Sequence, residues 1–350
     1  MKLSDFDFEL PEELIALRPA NPRDSARLLV VRGPAGRLED RSILDLPQLL
    51  NAGDILVAND TRVLCAALTG RRPARADGPD VEVEANLNSR LSPSEWSAFA
   101  RPGKRLKEGD TIHFANGLEA QVAGKSDAEV RLVFNREGAA LDAAIDAAGV
   151  MPIPPYIASK RAPDAQDAAD YQTLFADRAG SVAAPTAGLH FTPRLLDALS
   201  AAGVRRASVT LHVNAGTFLP VKSEDISEHR MHAEHAELSP ETVQAIVSAR
   251  ASGGLCIPIG TTALRTLESA AANGQLQSLS ANTSIFITPG YKFRVADGLL
   301  TNFHLPKSTL FMLVSAMMGL DVMKRAYAHA VKERYRFFSY GDACLLLPNG

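Results

Sequence analysis

From about residue 180 onward the chain repeats one rhythm: a short apolar run, a small polar motif, then a segment with helical spacing. Apolar runs at 182–184, 207–212, 255–259, 284–288 and 299–303 alternate with helical patterns at 193–202, 240–251, 262–272, 308–319 and 321–334. Strands separated by helices need crossover connections. The pattern therefore predicts an α/β fold, a layered α/β/α domain with a mainly parallel sheet. Runs at 27–31 and 55–58 and a helical stretch at 43–50 extend the same pattern to the start of the chain.

The rhythm breaks between residues 66 and 134. Short strand patterns such as Val81-Glu82-Val83-Glu84-Ala85 are separated by breakers, among them Arg101-Pro102-Gly103, Glu108-Gly109-Asp110 and Ala115-Asn116-Gly117. Short strands at this spacing predict a small antiparallel β-barrel. The expected organisation is a large α/β domain from residues 1–63 and 150–350, with residues 64–149 inserted as a small β-barrel domain. Residues 162–169, rich in Ala, Asp and Pro, read as a mobile loop.

Bulk properties exclude several classes. A net charge of −3 gives no global sign of nucleic-acid binding, so any such role rests on local patches. The three cysteines, Cys65, Cys256 and Cys344, fit neither a zinc site nor a disulfide framework, and a reducing cytoplasm is expected. The N-terminal residues carry no apolar signal core, and the longest apolar run, from Leu310 to Leu320, is too short to span a bilayer. No membrane partner is expected. Two local patches are basic. Residues 62–107 hold nine Arg or Lys against five Asp or Glu, net +4, and residues 321–336 hold five against two, net +3. Aromatic residues Tyr327, Tyr335, Phe337, Phe338 and Tyr340 interleave with the second patch. Phosphate neutralisation with base stacking would use that mixture, and a solvated helix face with aromatics turned inward is the plain alternative.

Four polar segments fall where a strand ends. They are Ala184-Pro185-Thr186-Ala187-Gly188-Leu189-His190-Phe191, the stretch from His212 to Phe218, Gly260-Thr261-Thr262, and Thr301-Asn302-Phe303-His304. Ligands of open α/β sheets bind at the carboxyl ends of strands, so these segments point to one shared site. Thr and Gly are also ordinary caps and turn formers, which the three histidines are not. Gly260-Thr261-Thr262 opens a helix whose free N–H groups suit a carboxylate or phosphate, and Arg265 and Glu268 lie close enough on it to pair with each other. Asn59-Asp60-Thr61-Arg62 offers a carboxylate and a guanidinium at the domain junction. In His229-Arg230-Met231-His232-Ala233-Glu234-His235 the spacing does not converge on a metal, although one histidine with Glu234 could line a pocket. No Gly-x-Gly-x-x-Gly dinucleotide fingerprint and no serine nucleophile elbow is present.

Together the strand-end segments, Asn59-Asp60-Thr61-Arg62-Val63 and the run from Tyr335 to Asp342 resemble the S-adenosylmethionine:tRNA ribosyltransferase-isomerase family of queuosine biosynthesis. One departure is Asn214, where the family usually has glycine; Asn tolerates left-handed geometry, which would preserve the turn. The resemblance implies a transferase-isomerase acting on tRNA that carries 7-aminomethyl-7-deazaguanine at the wobble position. S-adenosylmethionine would be co-substrate and ribosyl donor, giving epoxyqueuosine, adenine and methionine, with no metal and no other cofactor. It implies an α/β domain with an inserted β-barrel; a cytoplasmic monomer is expected. His190 and His212 would share the acid–base steps, with Asp60 or Asp342 as a second carboxylate. Asn59, Arg62, Thr186, Gly188, Gly216, Thr217, Phe218, Gly260, Thr261, Thr262, Arg265, Asn302 and His304 would bind the co-substrate, with Gly260, Thr261, Thr262 and Arg265 on its methionine carboxylate. The basic C-terminal stretch and the barrel would hold the anticodon stem-loop. A non-catalytic RNA-binding protein and a metal-dependent hydrolase are the competing readings. Strand-end histidines disfavour the first, and the histidine spacing disfavours the second.

Overall fold

The nine-stranded sheet at the centre of the molecule runs in the order Leu279–Thr283, Glu234–Leu238, Arg205–Leu211, Ile55–Asn59, Cys256–Ile259, Leu299–Asn302, Ala343–Leu347, Arg27–Arg32, Arg37–Ser42. This computed structural model describes residues 1–75, 78–126, 129–218, 221 and 223–349, without the side chains of Thr217 and Phe218. The sheet is mixed. The four strands from Arg205–Leu211 to Leu299–Asn302 are mutually parallel, and Ala343–Leu347 is parallel to Arg27–Arg32. The outer pairs, and Leu299–Asn302 against Ala343–Leu347, are antiparallel. The parallel character expected from the strand–helix rhythm thus lies in the centre, where helical crossovers exist; one edge is the hairpin Arg27–Arg32 with Arg37–Ser42, and the other pairs Glu234–Leu238 with Leu279–Thr283.

Helices cover both faces. Phe311, Val314 and Met323, from Thr309–Met318 and Leu320–Lys332, pack on Leu29, Val31 and Leu346. Ile246 and Leu267, from Pro240–Ala251 and Gly260–Ala270, pack on Ile55 and Val57. On the opposite face Leu195 and Leu199 of the helix Pro193–Ala201 meet Leu28, Val30 and Ile257. That helix starts as its sequence dictates, with Thr192 Oγ1 accepting from Leu195 N and Pro193 in the first turn. Burying alternate residues of one strand on opposite faces explains why these strands read as continuous apolar runs.

Between Ala67 and Phe134 six antiparallel strands close a barrel around Trp96, Leu87 and Leu132. The helix Gly138–Ala148 packs on it through Leu141, Ala144 and Ile145. A short parallel pair, Thr61–Val63 with Arg178–Ser181, joins the chain entering the barrel to the chain returning from it.

Four local expectations change. The apolar run at 284–288 is irregular, and the strand beside it is Leu279–Thr283. The run at 182–184 likewise follows a strand that ends at Ser181. Residues 162–169 are not a free loop: the helical turn Gln166–Asp170 is clamped by Arg18, which bridges Asp164, Asp167 and Asp170, and by Arg161 on Asp167. Asn214 is not among the positive-φ residues; its Nδ2 donates to Ala233 O at 2.9 Å and fixes the turn that way. Among the described residues no helix is long and apolar enough to cross a membrane.

Candidate active site

The carboxyl ends of three of the four parallel strands open into one cleft, with Val213 after the first. Gly260, Thr261 and Thr262 from the third strand end, Asn302 and His304 from the fourth, and Thr186 and Ala187 from the short helix Thr186–His190 line it. Gly260 sits at φ +86, and a Cβ there would lie 3.3 Å from Ala187 Cβ, so a side chain at this position would be both strained and crowded. Its glycine lets the first turn of the helix Gly260–Ala270 approach the Thr186–His190 segment. Gly216 plays a similar part, since a Cβ would meet the His232 ring at 3.0 Å. Gly188 is packed against Thr173 and Phe175 on the side away from the cleft lining.

The histidines are held differently. His190 is buried one layer behind the cleft and donates from Nε2 to Asn302 Oδ1 at 3.3 Å. Asn302, which lines the cleft, donates from Nδ2 to the carbonyls of Phe338 and Ser339. That orientation fixes its Oδ1 toward the imidazole and sets the tautomer of His190. His304 shares a 3.1 Å hydrogen bond with Thr301 Oγ1. His212 lies elsewhere, its Nδ1 2.8 Å from Thr61 Oγ1 and its ring stacked at 6.4 Å on His235. Burial disfavours the imidazolium at all three. His190 and His212 are pushed down to about 4 and His304 to about 3, so each is neutral at pH 7.

Asp60 and Asp342 stand outside the cleft lining. Asp60 accepts from Thr210 Oγ1 at 2.6 Å, and burial raises its pKa. Asp342 is consumed by structure: it accepts from the backbone N–H groups of Arg27 and Arg336 and from the Arg336 guanidinium. Asn59 is consumed as well. It clips two strands together by accepting from Leu211 N and donating to Leu211 O, and it also donates to Thr262 Oγ1. Arg62 pairs with Asp146 at 2.8 Å and so ties the domain junction to the helix Gly138–Ala148. The side chains of Thr217 and Phe218 lie outside the described residues.

Arg265 does not pair with Glu268. Glu268 instead caps the N–H groups of Arg294, Val295 and Ala296 and accepts from Tyr291 Oη. Arg265 turns the other way and donates from Nη1 to Glu234 Oε2 at 2.5 Å, with both side chains about 5% exposed. Its Nε and Nη2 have no partner among the described residues. Arg265 lines a second hollow, which shares Thr261, Thr262 and Leu310 with the first. His229 and His232 also line it, whereas His235 turns to Glu237, and no metal-binding cluster occurs among the described residues.

Two features escaped sequence reading. Tyr171, fully buried, contributes to the cleft from a stretch that carried no motif. Conversely, Tyr327, Tyr335, Phe337 and Tyr340 are core residues, so of the C-terminal aromatics only Phe338 reaches the cleft.

The family model described as "Queuosine biosynthesis protein" matches residues 3–346. This chain belongs to the queuosine biosynthesis family. Relatives named S-adenosylmethionine:tRNA ribosyltransferase-isomerase include one from Maricaulis maris, 62% identical over 99% of each chain. Another, from Rhodopseudomonas palustris, is 58% identical over 100% of this chain and 99% of its own. The crystal structure of an S-adenosylmethionine tRNA ribosyltransferase from Thermotoga maritima is 34% identical, with a TM-score of 0.56 and coverage of 98% of this chain and 100% of that one. The resemblance read from the strand-end segments is therefore a family relationship that extends through the barrel.

Proposed function

We propose that this member of the queuosine biosynthesis family transfers and isomerises the ribosyl moiety of S-adenosylmethionine onto 7-aminomethyl-7-deazaguanine at the tRNA wobble position. The products are epoxyqueuosine in tRNA, adenine and methionine. The observation that carries this reading is full-length identity of 56–62% to relatives bearing that enzyme name. The cleft is chemically suited to it.

The sulfonium acidifies the adjacent ribose carbon, a base removes that proton, adenine departs with help from a proton or hydrogen bond, and a neutral amine attacks. His190 and His212, both neutral at pH 7, are assigned the proton transfers, and the contact with Asn302 orients the His190 ring behind the cleft wall. Of the two carboxylates, Asp60 retains proton affinity because burial raises its pKa, whereas Asp342 is occupied by Arg336. The free edge of Arg265 and the first turn of Gly260–Ala270 receive the methionine carboxylate. Thr186, Asn302 and His304 line the remaining space, Gly216 lets the His232 ring close on the second hollow, and Gly188 lets the Thr186–His190 segment pack on Thr173 and Phe175.

S-adenosylmethionine is consumed as co-substrate, and no metal takes part. The enzyme works in the cytoplasm as a monomer, with residues 64–149 as an inserted barrel domain on residues 1–63 and 150–350. Barrel cations and the exposed Arg334 meet the anticodon stem-loop. Incubation with S-adenosylmethionine, precursor tRNA and a chelator tests this. Adenine is released only when tRNA is present, and chelation does not stop it. Release without tRNA, or abolition by the chelator, contradicts the proposal.

A further inference from the structure

The two hollows that meet at Thr261, Thr262 and Leu310 differ in chemistry. The first has Ala183, Ala184 and Phe303 in its wall and Tyr171 among its lining residues. Tyr171 is completely buried, its ring edge-on to Tyr340 at 6.1 Å; its Oη faces the backbone N–H of Ala184 but makes no hydrogen bond of normal geometry among the described residues. Buried hydroxyls are rarely left unpaired, so a ligand atom is wanted there. The same hollow carries Thr186, Thr301, Asn302 and Ser339, so its apolar wall offers a flat heteroaromatic ring a face to pack on and its polar groups offer the ring edge hydrogen bonds. The second hollow is charged. Arg265 and Glu234 form its buried wall, and Glu228, His229 and His232 its outer rim. Because Glu234 takes Nη1, the two open N–H groups of Arg265 lie on the Nε–Nη2 edge, the side-on fork that matches a carboxylate.

We propose that S-adenosylmethionine lies across both hollows, with its purine in the first, hydrogen-bonded to the Tyr171 hydroxyl, and its amino acid in the second, on the Arg265 fork. Ribose and sulfonium then span the junction at Thr261 and Thr262, and Tyr171 is the residue that selects the purine. This placement rests on the ribosyl-transfer reading above. It also separates the products: adenine is released in the hollow that Asn302 lines, and methionine in the one that Arg265 lines.

Competition in the adenine-release assay tests the placement. S-adenosylhomocysteine carries both ends of the ligand, and methylthioadenosine only the purine end. Both inhibit the wild-type enzyme. Tyr171→Phe weakens inhibition by both to the same extent, about threefold to tenfold, the range of a neutral hydrogen bond. Arg265→Lys keeps a cation beside Glu234 but removes the fork. It weakens S-adenosylhomocysteine about tenfold and leaves methylthioadenosine unchanged. The placement is overturned if Arg265→Lys weakens both inhibitors equally, if Tyr171→Phe weakens neither, or if methylthioadenosine fails to compete in wild type. A wild-type protein that releases no adenine from S-adenosylmethionine and precursor tRNA overturns the functional reading itself, and this placement with it.

Discussion

The central sheet and the inserted barrel bury their strands in opposite ways. Ile55–Asn59, Cys256–Ile259 and Ala343–Leu347 are buried at every position, while Val81–Arg90 alternates buried and exposed residues over its first half. A strand covered on both faces has no surface except at its ends, so polar chemistry in the sheet gathers where the four parallel strands stop. A barrel strand shows every second side chain to solvent. What the barrel contributes to function is therefore spread over a surface, and single substitutions there cost little.

The sharpest way to break this contrast is at the sheet's strand ends. His190→Gln keeps a side chain able to bond Asn302 but cannot exchange a proton. Adenine release falls by about 10²–10⁴-fold with an unchanged unfolding midpoint, the usual weight of a general acid–base group. Full turnover in a folded variant would remove His190 from the chemistry. Asp342→Ala separates a structural from a catalytic carboxylate at the same level of the sheet. It strands the Arg27 and Arg336 N–H groups and lowers stability by about 2–4 kcal/mol in urea titrations. A variant with wild-type stability and lost turnover would reassign Asp342 to catalysis.

Acid pH acts on the same strand ends. His190 and His304 are held neutral in the fold at about 4 and about 3, whereas the unfolded chain takes up those protons near the ordinary value of 6.5. The unfolded state then binds more protons, and stability is lost as pH falls from 6.5 toward 4. Each histidine contributes about 1.4 kcal/mol per pH unit in that window. Urea midpoints at pH 5 and pH 7.5 check the sign; equal midpoints would mean that neither imidazole is buried neutral. The smallest effects belong to surface cations. Arg131→Ala on the barrel and Arg334→Ala on the large domain leave stability within about 0.5 kcal/mol. Each reduces the salt slope of tRNA binding by about one where its cation meets a phosphate. Unchanged slopes in both would move the tRNA contact elsewhere.

The sheet's strands and helices were legible because burial on both faces leaves apolar runs, and because Thr192-Pro193 and Gly260 punctuate helices with unambiguous chemistry. The barrel was legible through alternation and turn residues. The strand-end segments were legible as a group, but their internal division of labour was not. Nothing in the chain shows that Asn59 and Asp342 spend their polar atoms on backbone, or that Arg265 passes over Glu268 three residues away for Glu234 on a neighbouring strand. Those choices depend on long-range packing. Tyr171 carries no local signal, since its role arises from where the Gln166–Asp170 turn is clamped by Arg18 and Arg161. The C-terminal aromatics were ambiguous for the same reason: interleaved charge and aromatic residues mark both a stacking surface and an amphipathic helix with its buried neighbours.

Ribosyl donation and methyl donation are told apart by doubly labelled S-adenosylmethionine. With one label in the ribose and another in the methyl group, precursor tRNA acquires the ribose label, and the methyl label leaves with methionine in amounts equal to the adenine released. Methyl label on the tRNA, with the ribose label remaining on a nucleoside in solution, would contradict it.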